Sequence, residues 1–323
     1  MGRAQLSNTK SNGSAAVRSR LGQWGLVLAL VLISAALAIA KPAFLTGPNL
    51  INLVRQISIN GILAVGVTYV LLTGGVDLSL GSLVALTGVI AASFAHPQQY
   101  PLAVAVLMGV LAGAGCGALN GWIITKGRVA PFVVTLGMMT AARGLALVAS
   151  GGRPVSNLSP EFTRIGSSNV AGIPSPTFIL LVVALASYAF LGNLKLGRYI
   201  YAVGGNEDAA RASGINVGAV KMFAYTVCAA LAGLAGVVLA SRITTGQPNA
   251  GVGYELDAIA AAVIGGASLS GGVGSVGGTI QGALLMGVIN NGLDLLNVSS
   301  YYQQIVKGVI IVGAVWMDRS REA

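Results

Sequence analysis

The chain has 323 residues, 54% of them hydrophobic and 9% charged, with a formal net charge of +10 and a mean hydropathy of +0.79. Soluble domains hold about a quarter charged residues, so this composition excludes a soluble globular protein and predicts an all-α polytopic membrane protein. The basic excess does not describe a nucleic-acid surface. It is spread over the N-terminus (Arg3, Lys10, Arg18, Arg20), short polar loops and the C-terminus (Arg319, Arg321), with no basic helix face. That is the pattern left by Lys and Arg retained in cytoplasmic loops.

In chain order, the stretches apolar enough for a spanning helix of about 20 residues are 21–40, 50–73, 78–95, 101–124, 130–150, 176–193, 221–240, 255–270, 275–296 and 301–317. The first contains Ala38-Ile39-Ala40, which resembles a processing site. Its apolar run exceeds the roughly 7–15 residues of a signal peptide, so it reads as an uncleaved helix behind a polar tail, residues 1–20. Ten spans put both termini and the loops 125–129 and 194–220 in the cytoplasm. With Lys221 at the edge of the second loop, those regions hold twelve of the nineteen Lys and Arg residues, which agrees with that topology. The transmembrane unit is 21–318, and residues 319–323 form a short tail. Segments 78–95 and 255–270 are short and Gly-rich and are expected to be broken or tilted. The stretches 74–83 and 271–280 look faintly alike. Forty-six glycines suit close helix packing in lipid, and Cys116 and Cys228, each inside an apolar tract, read as buried structural thiols.

The loop 194–220 interrupts this apolar chain with a polar insert, and a helix is written into it. Asn206 is a good N-cap, and Glu207 and Asp208 bring negative charge to the first turn. Ala209, Ala210 and Ala212 favour helix, Arg211 lies toward the end, and Gly214 suits the position after the C-cap. The helix is predicted over about 207–213. It lacks an apolar stripe, so the insert is either a docking element or a solvated loop helix.

No G-x-x-x-x-G-K-[ST] occurs, so the chain has no phosphate-binding loop of its own. The acidic residues Asp77, Asp257 and Asp294 are far apart in sequence, and no metal site or catalytic group is predicted. His96 reads as a loop residue. Among ionisable residues in apolar segments, Arg55 is expected to reach the interface and Lys307 to snorkel outward. Arg143 either pairs with a carboxylate or lines a path, and Asp77 caps segment 78–95, closes a tight turn or contacts the substrate directly. Neutral polar groups also interrupt the apolar runs: Gln56 and Asn60 on one helix face, Asn120, Thr135, Asn290 and Asn291. They either join helices by hydrogen bonds or offer transient bonds to a polar solute.

The run Asp208–Gly214, D-A-A-R-A-S-G, resembles the E-A-A-x-x-x-G loop of ABC importer permeases, with Asp in place of Glu. Taken with GGVDLSLGS (74–82), LNGWIITKGRVAPFVVTLGMM (119–139), GGRPVSNLSPEF (151–162), GRYIYAVGGNEDAARASGINV (197–217) and NNGLDLLNVSSYYQQIVKG (290–308), the chain resembles the permease subunits of ribose, xylose and galactose-type sugar importers over about 20–318. The resemblance implies an ABC importer permease fold in the bacterial cytoplasmic (inner) membrane. Residues Asn206 to Ile215, including Ser213, would form a coupling helix that docks in a cleft of a separate ATPase. That partner would bind the ATP, and this chain would need no cofactor. The same resemblance implies a periplasmic or extracellular solute-binding protein, a second permease copy in a homodimer, and a monosaccharide moved unchanged. Readings left open are a branched-chain amino acid or polyol as cargo, and a transporter driven by an ion gradient.

Overall fold

The computed structural model describes residues 25–322, with side chains to residue 316. The polar tail 1–20 therefore lies outside the described residues. The fold is all-α, apart from a two-residue antiparallel ladder of Asn169–Val170 with Ile173–Pro174. Helix α1 runs over Gly25–Ala40, α2 over Gly47–Leu72, α3 over Leu80–Ser93, α4 over Leu102–Lys126 and α5 over Pro131–Ser150. They are followed by α6 (Pro160–Ser167), α7 (Ser175–Asn193), α8 (Lys195–Gly205) and α9 (Glu207–Ala212). The chain ends with α10 (Val217–Arg242), α11 (Tyr254–Ile264), α12 (Val276–Leu295) and α13 (Ser300–Glu322). Each of the ten apolar stretches falls on one of these helices, and α13 continues into the residues read as a tail. Among the described residues, five helices, α2, α4, α5, α7 and α10, are long and apolar enough to cross a membrane by length and composition.

Helix α10 is the central post, and glycine sets its distance to its neighbours. Gly109, Gly113, Gly117 and Gly121 recur every four residues on α4 and form one ridge. A Cβ on Gly113, Gly117 or Gly121 would run into Ala229, Tyr225 or Met222 of α10, and Gly233 of α10 returns the fit against Gly109. Lipid offers no hydrophobic drive for helices to associate, so this close backbone approach supplies the packing energy. On its other faces α10 meets α2, where Gly66 fits against Cys228, and α3, where Gly88 fits against Gly236.

Two of the helices on the apolar stretches, α3 and α11, are too short to span. At about 1.5 Å per residue, the 14 residues of α3 and the 11 of α11 cover roughly 21 and 16 Å of a hydrocarbon core near 30 Å. The depth of α3 follows from its contacts along α10. Gly75, before its start, meets Tyr225, and Gly88 meets Gly236. Gly81, at the first turn of α3, therefore lies level with the middle of α10. There it meets Gly251 and the Glu255 carboxylate, just before and within the first turn of α11. Both helices thus begin near mid-depth, each after an irregular segment, 73–79 for α3 and 243–253 for α11. These approach from opposite ends of the bundle. Segment 73–79 leaves the end that carries α8 and α9, while Gly246 pairs with Val155 at the other end (2.8 and 2.9 Å). The expectation of broken helices over 78–95 and 255–270 is met in this form.

Candidate functional site

At the α9 end, the helix spans Glu207–Ala212 and is capped by Asn206, whose Oδ1 accepts from the Ala209 amide at 2.9 Å. Gly214 follows with φ +80, a conformation that costs glycine no steric clash. Asp208, Ala209, Arg211, Ala212 and Ser213 are exposed, whereas Ala210 is buried and Ile215 packs with Val217 and Val220. So the helix does bury one side, a point the missing apolar stripe did not predict. Glu207 holds it in place. Its carboxylate pairs with Arg211 one turn on (2.8 Å) and with Lys221 of α10 (2.5 Å). The Lys221 ammonium, with Arg211 adding to it, keeps the Glu207 carboxyl below the usual carboxylate range.

Helix α8 precedes α9 and was not predicted. Leu196, Tyr199, Ile200 and Val203 give it an apolar face at helical spacing, and Ile200 and Val203 are buried against α2 and α10 residues. That periodicity is present in the sequence, in the part of the insert ahead of the Asn206 cap. The α8 C-terminus is jammed against two other loops. Gly204 sits on the Leu72 carbonyl, and the Gly272 amide donates to that same carbonyl oxygen at 3.0 Å. Gly271 lies beside Gly74. The two faintly similar stretches, 74–83 and 271–280, therefore meet beneath the end of α8.

The remaining candidates divide between two depths. Asp77, fully buried, closes a tight turn ahead of α3: its Oδ1 accepts from the Ser79 amide (2.9 Å) and hydroxyl (2.5 Å). Asn120 donates to the Ser79 hydroxyl at 3.5 Å, and Thr135 donates to the Val76 carbonyl at 3.4 Å. These three therefore shape the approach to α3. Asn291 exchanges two amide hydrogen bonds with Asn49 (2.9 and 3.1 Å), a helix-joining role. Asn290 donates to Asp257 Oδ2 at 3.1 Å. Asn60 is buried with its Oδ1 unpartnered, while Gln56 is half-buried on the same helix.

One expectation is corrected, and two residues gain partners. Lys307 does not snorkel: its ammonium pairs with the buried Asp257 carboxylate at 2.8 Å, tying α13 to α11. Arg55 is held near the start of α2. Its Nη2 donates to the Ser167 carbonyl (2.5 Å) and Asn169 Oδ1 (3.0 Å), joining α2 to the end of α6. Arg143 forms no direct ion pair among the described residues, although the Glu255 carboxylate attracts it: its Nη1 donates to the carbonyls of Pro248 (2.7 Å) and Ala250 (2.8 Å) in the irregular segment before α11. The sequence could not show these pairings, since each joins residues more than 45 positions apart. Among the described residues there is no group of His, Cys, Asp and Glu placed to hold a metal ion.

A polytopic helical bundle with two half-helices meeting at mid-depth and a small polar helix at one end has the architecture of a solute permease. Residues 49–315 match the family described as branched-chain amino acid transport system, permease component, and the chain belongs to this family. It is 48% identical over 300 residues to the ribose import permease protein RbsC of Escherichia coli K12, covering 92% of this chain and 93% of that one. It is 44% identical over 310 residues to RbsC of Bacillus subtilis 168, covering 95% of each. The D-allose transport system permease protein AlsC of Escherichia coli K12 is 38% identical over 298 residues, covering 92% of this chain and 91% of its own. No solved structure matches.

Proposed function

We propose that this chain is the membrane-spanning subunit of an ATP-driven importer that carries a monosaccharide across the bacterial inner membrane. A separate ATPase would bind and hydrolyse the ATP, a solute-binding protein would deliver the sugar, and a second copy of the chain would complete the channel. Likeness to ribose and allose permeases over nine-tenths of the chain supports a monosaccharide cargo. The observation that carries the coupling role is α9. Its outer side is small or charged and exposed, while Glu207 fixes its inner side to α10. A push on α9 is thereby passed to a spanning helix.

Glu207 has this internal task, so Asp208 and Ala212 are the cleaner positions to test. Asp208→Lys with Ala212→Trp should leave the permease folded in membranes, cut ATPase binding at least tenfold and abolish uptake. Wild-type uptake by that variant would overturn the coupling role.

One observation favours a second reading. Half-helices that meet at mid-depth also occur in carriers driven by ion gradients. Uptake that persists after ATP depletion and collapses with the ion gradient would establish that reading instead.

A further inference from the structure

The segment 243–253 combines three properties that do not ordinarily occur together within a bilayer. It is irregular, with eleven residues outside any helix between α10 and α11. It runs deep: Gly246 lies against Val89 and Ala92 near the far end of α3, and Gly251 lies against Gly81 at mid-depth. It is also uncovered, with Val252 72% exposed and Thr244 and Asn249 exposed as well. Non-helical backbone at membrane depth is tolerated only where protein buries it or where it lines water, because lipid cannot satisfy its amides and carbonyls. This protomer does not bury the outer side of the segment.

A second, independent observation points to water. Arg143 sits well inside α5, half-buried, and holds the carbonyls of Pro248 and Ala250. None of the ion pairs among the described residues includes it. The Glu255 carboxylate attracts it without a direct ion pair, and ionisable groups at this depth face a bundle interior or an aqueous cavity.

We infer that segment 243–253, pinned by Arg143, is the wall of a water-filled passage through which the transported solute moves past the α3–α11 junction. The chemistry on this wall suits a neutral polyol. It offers backbone amides and carbonyls, Thr244 and Asn249, and a fixed guanidinium already engaged in orienting the segment. Arg143 is a positioning residue in this arrangement. The inference rests on the transport reading above, but it concerns where the path lies and is independent of what powers it.

The test is thiol accessibility in the full-length protein in its native membranes, with the wild-type chain giving the background from Cys116 and Cys228. Val252→Cys and Asn249→Cys are compared with Leu185→Cys on α7 and Leu111→Cys on α4, both exposed on long apolar spans. A charged, membrane-impermeant methanethiosulfonate should modify the two segment cysteines at least tenfold faster than the two span cysteines. A lipid-soluble maleimide should modify the span cysteines readily. Segment cysteines that react only with the lipid-soluble reagent would place the wall against lipid and overturn the inference. Resistance to both reagents would mean a dry protein contact and would overturn it equally. If Val252→Cys does not reach the membrane, Asn249→Cys carries the same comparison. Labelling needs no ATPase, so failure of the ATP-driven reading would show separately, as uptake that survives ATP depletion.

Discussion

At the residue scale, three charged side chains act as fasteners. Glu207 has a depressed carboxyl pKa, so the stability it contributes is fully present above the ordinary Glu value, near 4.3. That contribution fades as pH falls through the lowered folded value. Glu207→Gln should therefore loosen α9 at neutral pH, and wild type and variant should converge in strong acid. Amide hydrogen exchange across residues 207–215 reads both limbs. The effect will be modest, because the pair is part-exposed and water screens it. Lys307 is the opposite case. Lys307→Met strands the buried Asp257 carboxylate and should destabilise the protein by about 3–5 kcal/mol, whereas Lys307→Met with Asp257→Asn should cost clearly less. Thermal unfolding in detergent distinguishes the two. Arg143→Lys should retain more uptake than Arg143→Gln, because both carbonyls accept from one guanidinium nitrogen and an ammonium, with three donors on one nitrogen, can serve both, whereas the shorter neutral amide cannot reach them.

At the scale of elements, the long helices were legible because twenty apolar residues in a row admit few other structures. The predicted helix over 207–213 and the observed α9 agree at the Asn206 cap and the Gly214 stop, because local chemistry dictates both. Helix α8 was missed although Leu196, Tyr199, Ile200 and Val203 mark a helical face, since about two turns of apolar residues were outweighed by the charges around them. What no local signal could show is where the end of α8 lands. Gly204 has no room for a side chain: a Cβ there would overlap the Leu72 carbonyl and the Gly272 amide. Gly204→Ala should cost about 1–3 kcal/mol from overpacking and should reduce uptake more than ATPase binding, because the binding surface on α9 is left intact. Equal loss of both would show instead that α8 and α9 fold as one unit.

At the scale of the molecule, composition was enough to establish a helical membrane protein, and the Gly-rich interruptions were enough to expect broken helices. The sequence did not show that the two breaks meet. Gly81 lies some 170 residues from Gly251 and Glu255 in the chain and meets them only because α10 spaces α3 against the segment that follows it. The candidate site was legible to the same degree: α9 almost whole, the polar residues as a set without an arrangement, and the partners of Arg143 and Lys307 not at all. In the proposed account, force would enter at α9, cross the glycine contacts beneath α8, and reach the segments that lead into α3 and α12.

The measurement that tests this most directly is ATP-dependent sugar uptake by the tagged permease gently purified from its native cells, with mass spectrometry of the proteins that accompany it. An ATP-binding-cassette subunit should co-purify, and vesicles containing both should import a monosaccharide only when ATP and the solute-binding protein are supplied. A permease recovered alone that still transports in ATP-free vesicles would contradict the account.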